Sequence, residues 1–127
     1  MEKQFVPYEL AVKLKELGFD EECFGWYDFE TFKEVNIKWS HCSNYDLNWS
    51  KLNCTAPLWQ QAFDFIREKY NTVVNFHCND KRWFGEARRI NFYERFLDSG
   101  YSKPYKTYEE ARQAYLEKLI EIIENGN

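Results

Sequence analysis

The 127-residue chain has one methionine, three prolines and five glycines. That scarcity of proline and glycine excludes collagen-like and low-complexity classes. No apolar run approaches the ~20 residues needed to cross a bilayer. Residues 1–25 carry Glu2, Lys3, Glu9, Lys13, Lys15, Glu16, Asp20, Glu21 and Glu22, which interrupt any signal-peptide core and lead to the expectation of a cytoplasmic protein. Positive charge is not in excess either. Seventeen Lys and Arg face twenty-one Asp and Glu, net −4. General nucleic-acid binding, which displaces counterions with a cationic surface, is therefore not expected. A nucleophile turn of the G-x-S-x-G type is absent, as is any closely spaced C-x2-C pair.

Aromatic residues, by contrast, are abundant: 11 Phe, 9 Tyr and 5 Trp make 20% of the chain. Hydrophobic residues reach 44%, enough for a real core in one domain spanning residues 1–127 without disulfide support. Four cysteines (Cys23, Cys42, Cys54, Cys78) are then expected as buried, reduced thiols. Without a secretory route, the glycosylation patterns at Asn48-Trp49-Ser50 and Asn53-Cys54-Thr55 are chance matches.

Three helices stand out. Pro7 suits the first turn of one and Gly18 its left-handed stop, with Leu10, Leu14 and Leu17 on one face. Thr55 is expected to cap the second, with Pro57 just inside. Its stripe is Leu58, Trp59, Ala62, Phe63, Phe65, Ile66 and Tyr70. Thr107-Tyr108-Glu109-Glu110 reads as a capping box opening the third, whose apolar positions include Tyr108, Ala111, Tyr115, Leu119 and Ile122. Alternation marks strands at Val35–Trp39, Val74–Cys78 and Ile90–Tyr93, and Cys23–Phe29 is a further candidate. Residues 40–54 read as an irregular loop. The order α-β-β-α-β-β-α implies an α+β fold, with an antiparallel sheet from hairpins and helices over one face. Periodicity assigns Phe63, Phe76, Tyr108 and Tyr115 to the core.

Three segments, FVPYELAVKLKELGFDEECFGWY (5–27), TAPLWQQAFDFIREKY (55–70) and KTYEEARQAYLEKLIEII (106–123), resemble a family of small bacteriophage and prophage proteins of Bacteroidetes-type hosts. The resemblance covers 57 of 127 residues and fades across 28–54 and 71–105. It brings no catalytic site or ligand. It implies a phage accessory protein in the host cytoplasm, acting on host machinery or host defence.

Three constellations of residues could carry chemistry. His41, Cys42, Cys54, His77 and Cys78 are the right types for zinc, but neighbours on a strand point to opposite faces, so each His-Cys pair offers one ligand easily. Core thiols and surface histidines are the competing interpretation, and no metal or other cofactor is expected. Cys42 or Cys78 with a His and an acid could form a hydrolase site, as could the paired carboxylates Asp28 and Glu30. No motif fixes their geometry, so no catalytic residue is assigned. The third constellation is 81–95, net +3 in an acidic chain. Here Lys81, Arg82, Arg88 and Arg89 could hold phosphates while Trp83 and Tyr93 stack on a base. Gly85 either admits a close backbone approach or marks a bulge. The competing interpretation is a strand with aromatics inward and arginines paired to the chain's own acids.

These residues lead to a non-catalytic binding protein that sequesters a nucleotide-type defence signal or another small phosphorylated ligand. A homo-oligomer would let two copies of the segment enclose one ligand. The alternative is an inhibitor or adaptor that blocks a host protein through an aromatic patch, without a small ligand.

Overall fold

The computed structural model describes residues 4–28, 30, 34–48, 50–89, 95–98 and 105–125, with the backbone alone described at 38–41, 88–89 and 95–98. The elements are α1 (Tyr8–Glu16), β1 (Cys23–Tyr27), β2 (Asn36–Cys42), β3 (Cys54–Ala56), α2 (Trp59–Tyr70), β4 (Thr72–Asn79), β5 (Arg82–Arg89), β6 (Arg95–Asp98) and α3 (Tyr108–Glu124). The fold is α+β, with three helices and antiparallel strands in the expected order. The strands form two three-stranded sheets, β2-β1-β3 and β4-β5-β6, in which β3, β5 and β6 join the strands marked at 23–29, 35–39 and 74–78. The chain divides into two compact units, Met1–Ala62 and Phe63–Asn127, with the boundary inside α2. The strand expected at Ile90–Tyr93 lies outside the described residues.

In the first unit α1 follows Pro7, whose carbonyl accepts from the N–H groups of Leu10 and Ala11. Gly18, at φ 101°, ends the helix. Its N–H donates to Lys15 O and the Phe19 N–H to Leu14 O, at 3.0 Å each, which is a Schellman stop. The motif also turns Phe19 inward, so Phe19 and Leu14 are both buried. Gly25 of β1 is required by close packing: a Cβ there would stand 2.7 Å from Val35 Cγ2 and 3.0 Å from the Phe5 ring.

Thr55 is not the cap of α2. It sits inside β3, paired in register with Trp26, and is buried. The helix starts three residues later than a Thr55 cap requires, because Leu58 N–H is satisfied by Gln61 Oε1 at 2.9 Å.

Residues 43–53 are irregular in backbone but not loosely held. Asn44 is buried. Its amide donates to Phe19 O at 2.6 Å and its carbonyl accepts from Thr55 N at 2.9 Å. Asn53 is also buried, donating to Leu47 O, while its own carbonyl accepts from Lys15 Nζ at 2.6 Å. The buried Asn53 side chain leaves no room for a glycan in the folded chain, as expected of that pattern.

In the second unit β4 and β5 form an eight-rung ladder from Thr72↔Arg89 to Asn79↔Arg82. Asp80 and Lys81 close it with φ of 54° and 62°, the two-residue turn that matches the strands' twist. Val74, Phe76 and Cys78 share one face with Ala87, Gly85 and Trp83. Helix α3 lies on that face. Its Tyr115 is fully buried, donates its hydroxyl to Gly85 O, and leaves no space for a Cβ at Gly85. Phe76 meets Phe63, Tyr108 and Tyr115 edge to face at 5.5–5.9 Å. Thr107 caps α3 by accepting from Glu110 N at 3.1 Å, as the capping box requires.

Candidate functional site

The turn end of the β4–β5 hairpin gathers exposed cations and part-exposed rings in the second unit. Lys81 and Arg82 are exposed at the turn, because a two-residue connection leaves its side chains in solvent. Trp83, the next residue, points to the α3 face and is half-buried. Its N–H donates to Tyr105 O and its carbonyl accepts from Tyr105 N, both at 2.8 Å. This bridge is how the chain just before α3 reaches the turn, and it brings Lys106 and Tyr108 with it.

The rings of Trp83 and Tyr108 are 5.2 Å apart at 56°. Tyr108 is 38% exposed, so the core position assigned to it by helix periodicity is corrected to the surface. The reason is its place in the first turn of α3, beyond the sheet surface that Tyr115 covers. Lys118 Nζ lies 3.1 Å from the Tyr105 hydroxyl and over the faces of Tyr105 and Tyr115 at 5.8 and 5.6 Å. Arg112 lies over the Tyr108 ring at 5.6 Å. Cationic groups thus contact this aromatic set from α3 as well.

The six candidate residues do not form one cluster. Lys81, Arg82 and Trp83 are together at the turn, but Arg82 and Trp83 take opposite faces of β5. Arg88 and Arg89 occupy the other end of β5, in register with Val73 and Thr72, about 20 Å along the strand from Arg82 at ~3.3 Å per residue. Arg88 is also in register with Arg95 of β6. The side chains of Arg88 and Arg89 are not described, and Tyr93 lies outside the described residues. Tyr105, Lys106 and Tyr108 were missed in the sequence. Their signal, Tyr-Lys-Thr-Tyr ahead of a helix, reads as a capping box and gives no hint of the long-range bridge to Trp83.

The residues weighed for zinc divide between the units, Cys42 and Cys54 in the first and His77 and Cys78 in the second. Among the described residues no group of three His, Cys, Asp or Glu is arranged to hold a metal ion. His77 is exposed and stacks on Phe84 at 5.4 Å and 19°. Cys23, Cys42 and Cys54 are buried and reduced; Cys78 is reduced but exposed, against the expectation that all four are core residues. Burial pushes the thiols of Cys23 and Cys54 up to about 12. Nearby Lys15 draws Cys54 partly back, and the Thr55 hydroxyl does the same for Cys23.

No helix among the described residues is long and apolar enough to cross a membrane. Comparison of the chain with family models, with curated proteins and with solved structures returns no match.

Proposed function

We propose that the protein is a non-catalytic binder of a nucleotide-type ligand, with the turn end of the β4–β5 hairpin as its base-stacking platform. The observation that carries this reading is the pair of part-exposed rings, Trp83 and Tyr108, with exposed Lys81 and Lys106 next to them in the chain. A base stacks on such rings, and the cations supply donors to phosphate. Glu109 and Glu110 stand in the first turn of α3, so phosphate belongs on the Lys81 side. In the setting implied by the resemblance to phage proteins, such a site sequesters a defence signal by affinity alone.

The test is calorimetry and thermal shift against mono-, di- and cyclic nucleotides, since a ligand that binds the native state raises its melting temperature. Stacking is worth roughly 1–3 kcal/mol per base. Trp83→Ala is therefore expected to weaken binding by about tenfold or more, and Lys81→Ala to weaken it with little effect on folding. A flat response across the panel overturns the reading. Native mass spectrometry of the same samples reports retained ligand and any oligomer.

A second reading, an inhibitor or adaptor that docks on a host protein, is favoured by the first unit. Tyr45 is 74% exposed and Leu52 is 57% exposed, both on the 43–53 segment that Asn44 and Asn53 hold in place. Large exposed apolar side chains held in place in this way are what a protein interface uses as anchors.

A further inference from the structure

We propose that Cys23 and Cys42 are a dithiol that closes to a disulfide in the presence of hydrogen peroxide. The two residues are direct partners in the antiparallel β1–β2 register. Opposed residues in such a ladder have Cα atoms about 4.5–5.5 Å apart, inside the 4.4–6.8 Å range that a disulfide spans. The register also selects the pair. Cys54 is opposite Tyr27, four residues further along β1, and Cys78 belongs to the second unit.

Position makes the pair openable. Cys42 is the last residue of β2, an edge strand, and Cys23 is the first residue of β1. The ladder is irregular between Cys23 and Gly25, so few regular rungs secure this end. Strand ends at a sheet edge are drawn from the low-stability part of a fold. Cys42 retains 7% exposure against 1% for Cys23, and peroxide is small enough to use a brief opening there.

The sulfur of Cys42, as thiolate, attacks one peroxide oxygen; the O–O bond breaks and the other oxygen leaves as hydroxide, taking up a proton to become water. Cys42 is then a sulfenic acid. Cys23, opposite it in the ladder, is the resolving group. Its sulfur displaces the sulfenic oxygen, its proton goes to that oxygen, and a second water leaves as the S–S bond forms. Two thiols are oxidised to one disulfide and one peroxide is reduced to two waters.

The test uses full-length protein carrying Cys78→Ser, which removes the exposed competitor. It is treated with hydrogen peroxide, unfolded with iodoacetamide to block the remaining thiols, digested and mapped without reduction. The expected product is a Cys23–Cys42 linked peptide, lighter than the two free peptides by two hydrogen atoms and lost on adding dithiothreitol, with Cys54 recovered alkylated. Cys42→Ser is expected to abolish the link. Oxidation without Cys42→Ser gives a second readout, a melting temperature that rises and falls back on reduction, because a cross-link restricts the unfolded chain. Recovery of Cys23 and Cys42 both alkylated, a link through Cys54, or an unmoved melting temperature overturns the proposal.

Discussion

The two units use one plan, a three-stranded antiparallel sheet with a helix against it, and seal it with different chemistry. Both bury rings, Phe5, Phe19, Tyr27 and Trp59 in the first and Phe84 and Tyr115 in the second, but the first also buries the thiols of Cys23, Cys42 and Cys54 and the polar side chains of Asn44, Asn53 and Thr55. In the second, Tyr115 is fully buried and the half-buried Phe76 packs edge to face against it. The difference follows from what each sheet has to hold. The first must fix an irregular stretch between β2 and β3, and side-chain amides tie it down: Asn44 joins it to Phe19 O and Thr55 N, and Asn53 bonds Leu47 O within it. The second has a continuous β4–β5 ladder that satisfies its own backbone, and its buried side chains pack around the Tyr115 ring without amides. Asn side chains bind by direction and rings by shape, and the two kinds of interior should fail in different ways.

The largest expected failure is Asn44→Ala. It removes two buried hydrogen bonds to backbone, from Thr55 N and to Phe19 O, and leaves a space too polar to collapse. Each buried group that loses its partner costs about 1–3 kcal/mol. A loss of about 3 kcal/mol is expected in urea unfolding, with hydrogen exchange accelerating first in 43–56. If exchange accelerates equally in 72–89, the two units do not open separately and the contrast between them does not extend to local stability.

Gly85→Ala is the corresponding test of the aromatic unit. The added Cβ would stand 2.6 Å from Tyr115 Cε2 and 2.7 Å from its Cζ. That ring is fully buried and tied by its hydroxyl to Gly85 O, so it cannot move aside. Overpacking of this kind costs typically 1–3 kcal/mol. About 2 kcal/mol is expected, with loss of near-ultraviolet circular dichroism from the ring cluster and faster exchange in 72–89 and 108–124. A neutral Gly85→Ala would mean that the ring packing is loose.

Much of this was legible before any coordinates. Gly18 stops α1 and Thr107 starts α3 because those signals are local: a left-handed residue and a hydroxyl three residues before a Glu. The alternation at Val74–Cys78 gave β4 because Val74 and Phe76 on one face are half-buried while Asn75 and His77 on the other are exposed. Thr55 was misread because Thr before Pro suits a cap and a short strand equally, and only pairing with Trp26 decides. The candidate site was half legible. Lys81, Arg82 and Trp83 are contiguous, but their neighbours Tyr105 and Tyr108 arrive through a backbone bridge that leaves no composition signal. The arginines at 88 and 89 looked close in sequence, yet an extended strand turns six residues into about 20 Å.

The smallest expected effect distinguishes the interiors by pH. The thiols of Cys23 and Cys54 rise from an ordinary 9.0 to about 12 in the folded state, chiefly through burial. Between those values the unfolded chain releases protons that the native chain keeps, so stability falls as pH rises. It is fully present below about pH 9 and is lost progressively towards pH 12. At pH 10, one unit above the unfolded value, each thiol is expected to cost about 1 kcal/mol. Urea midpoints measured at pH 8 and pH 10 check this, and Cys54→Ala should flatten the slope by about half. Exchange should quicken in 23–56 ahead of 72–89, since the thiols that lose stability lie in the first unit. A slope unchanged by Cys54→Ala would assign the alkaline sensitivity to other groups, such as Tyr8, whose hydroxyl burial also raises. In that case the sealed thiols would be bystanders to the first unit's stability, and its amides alone would set it apart from the second.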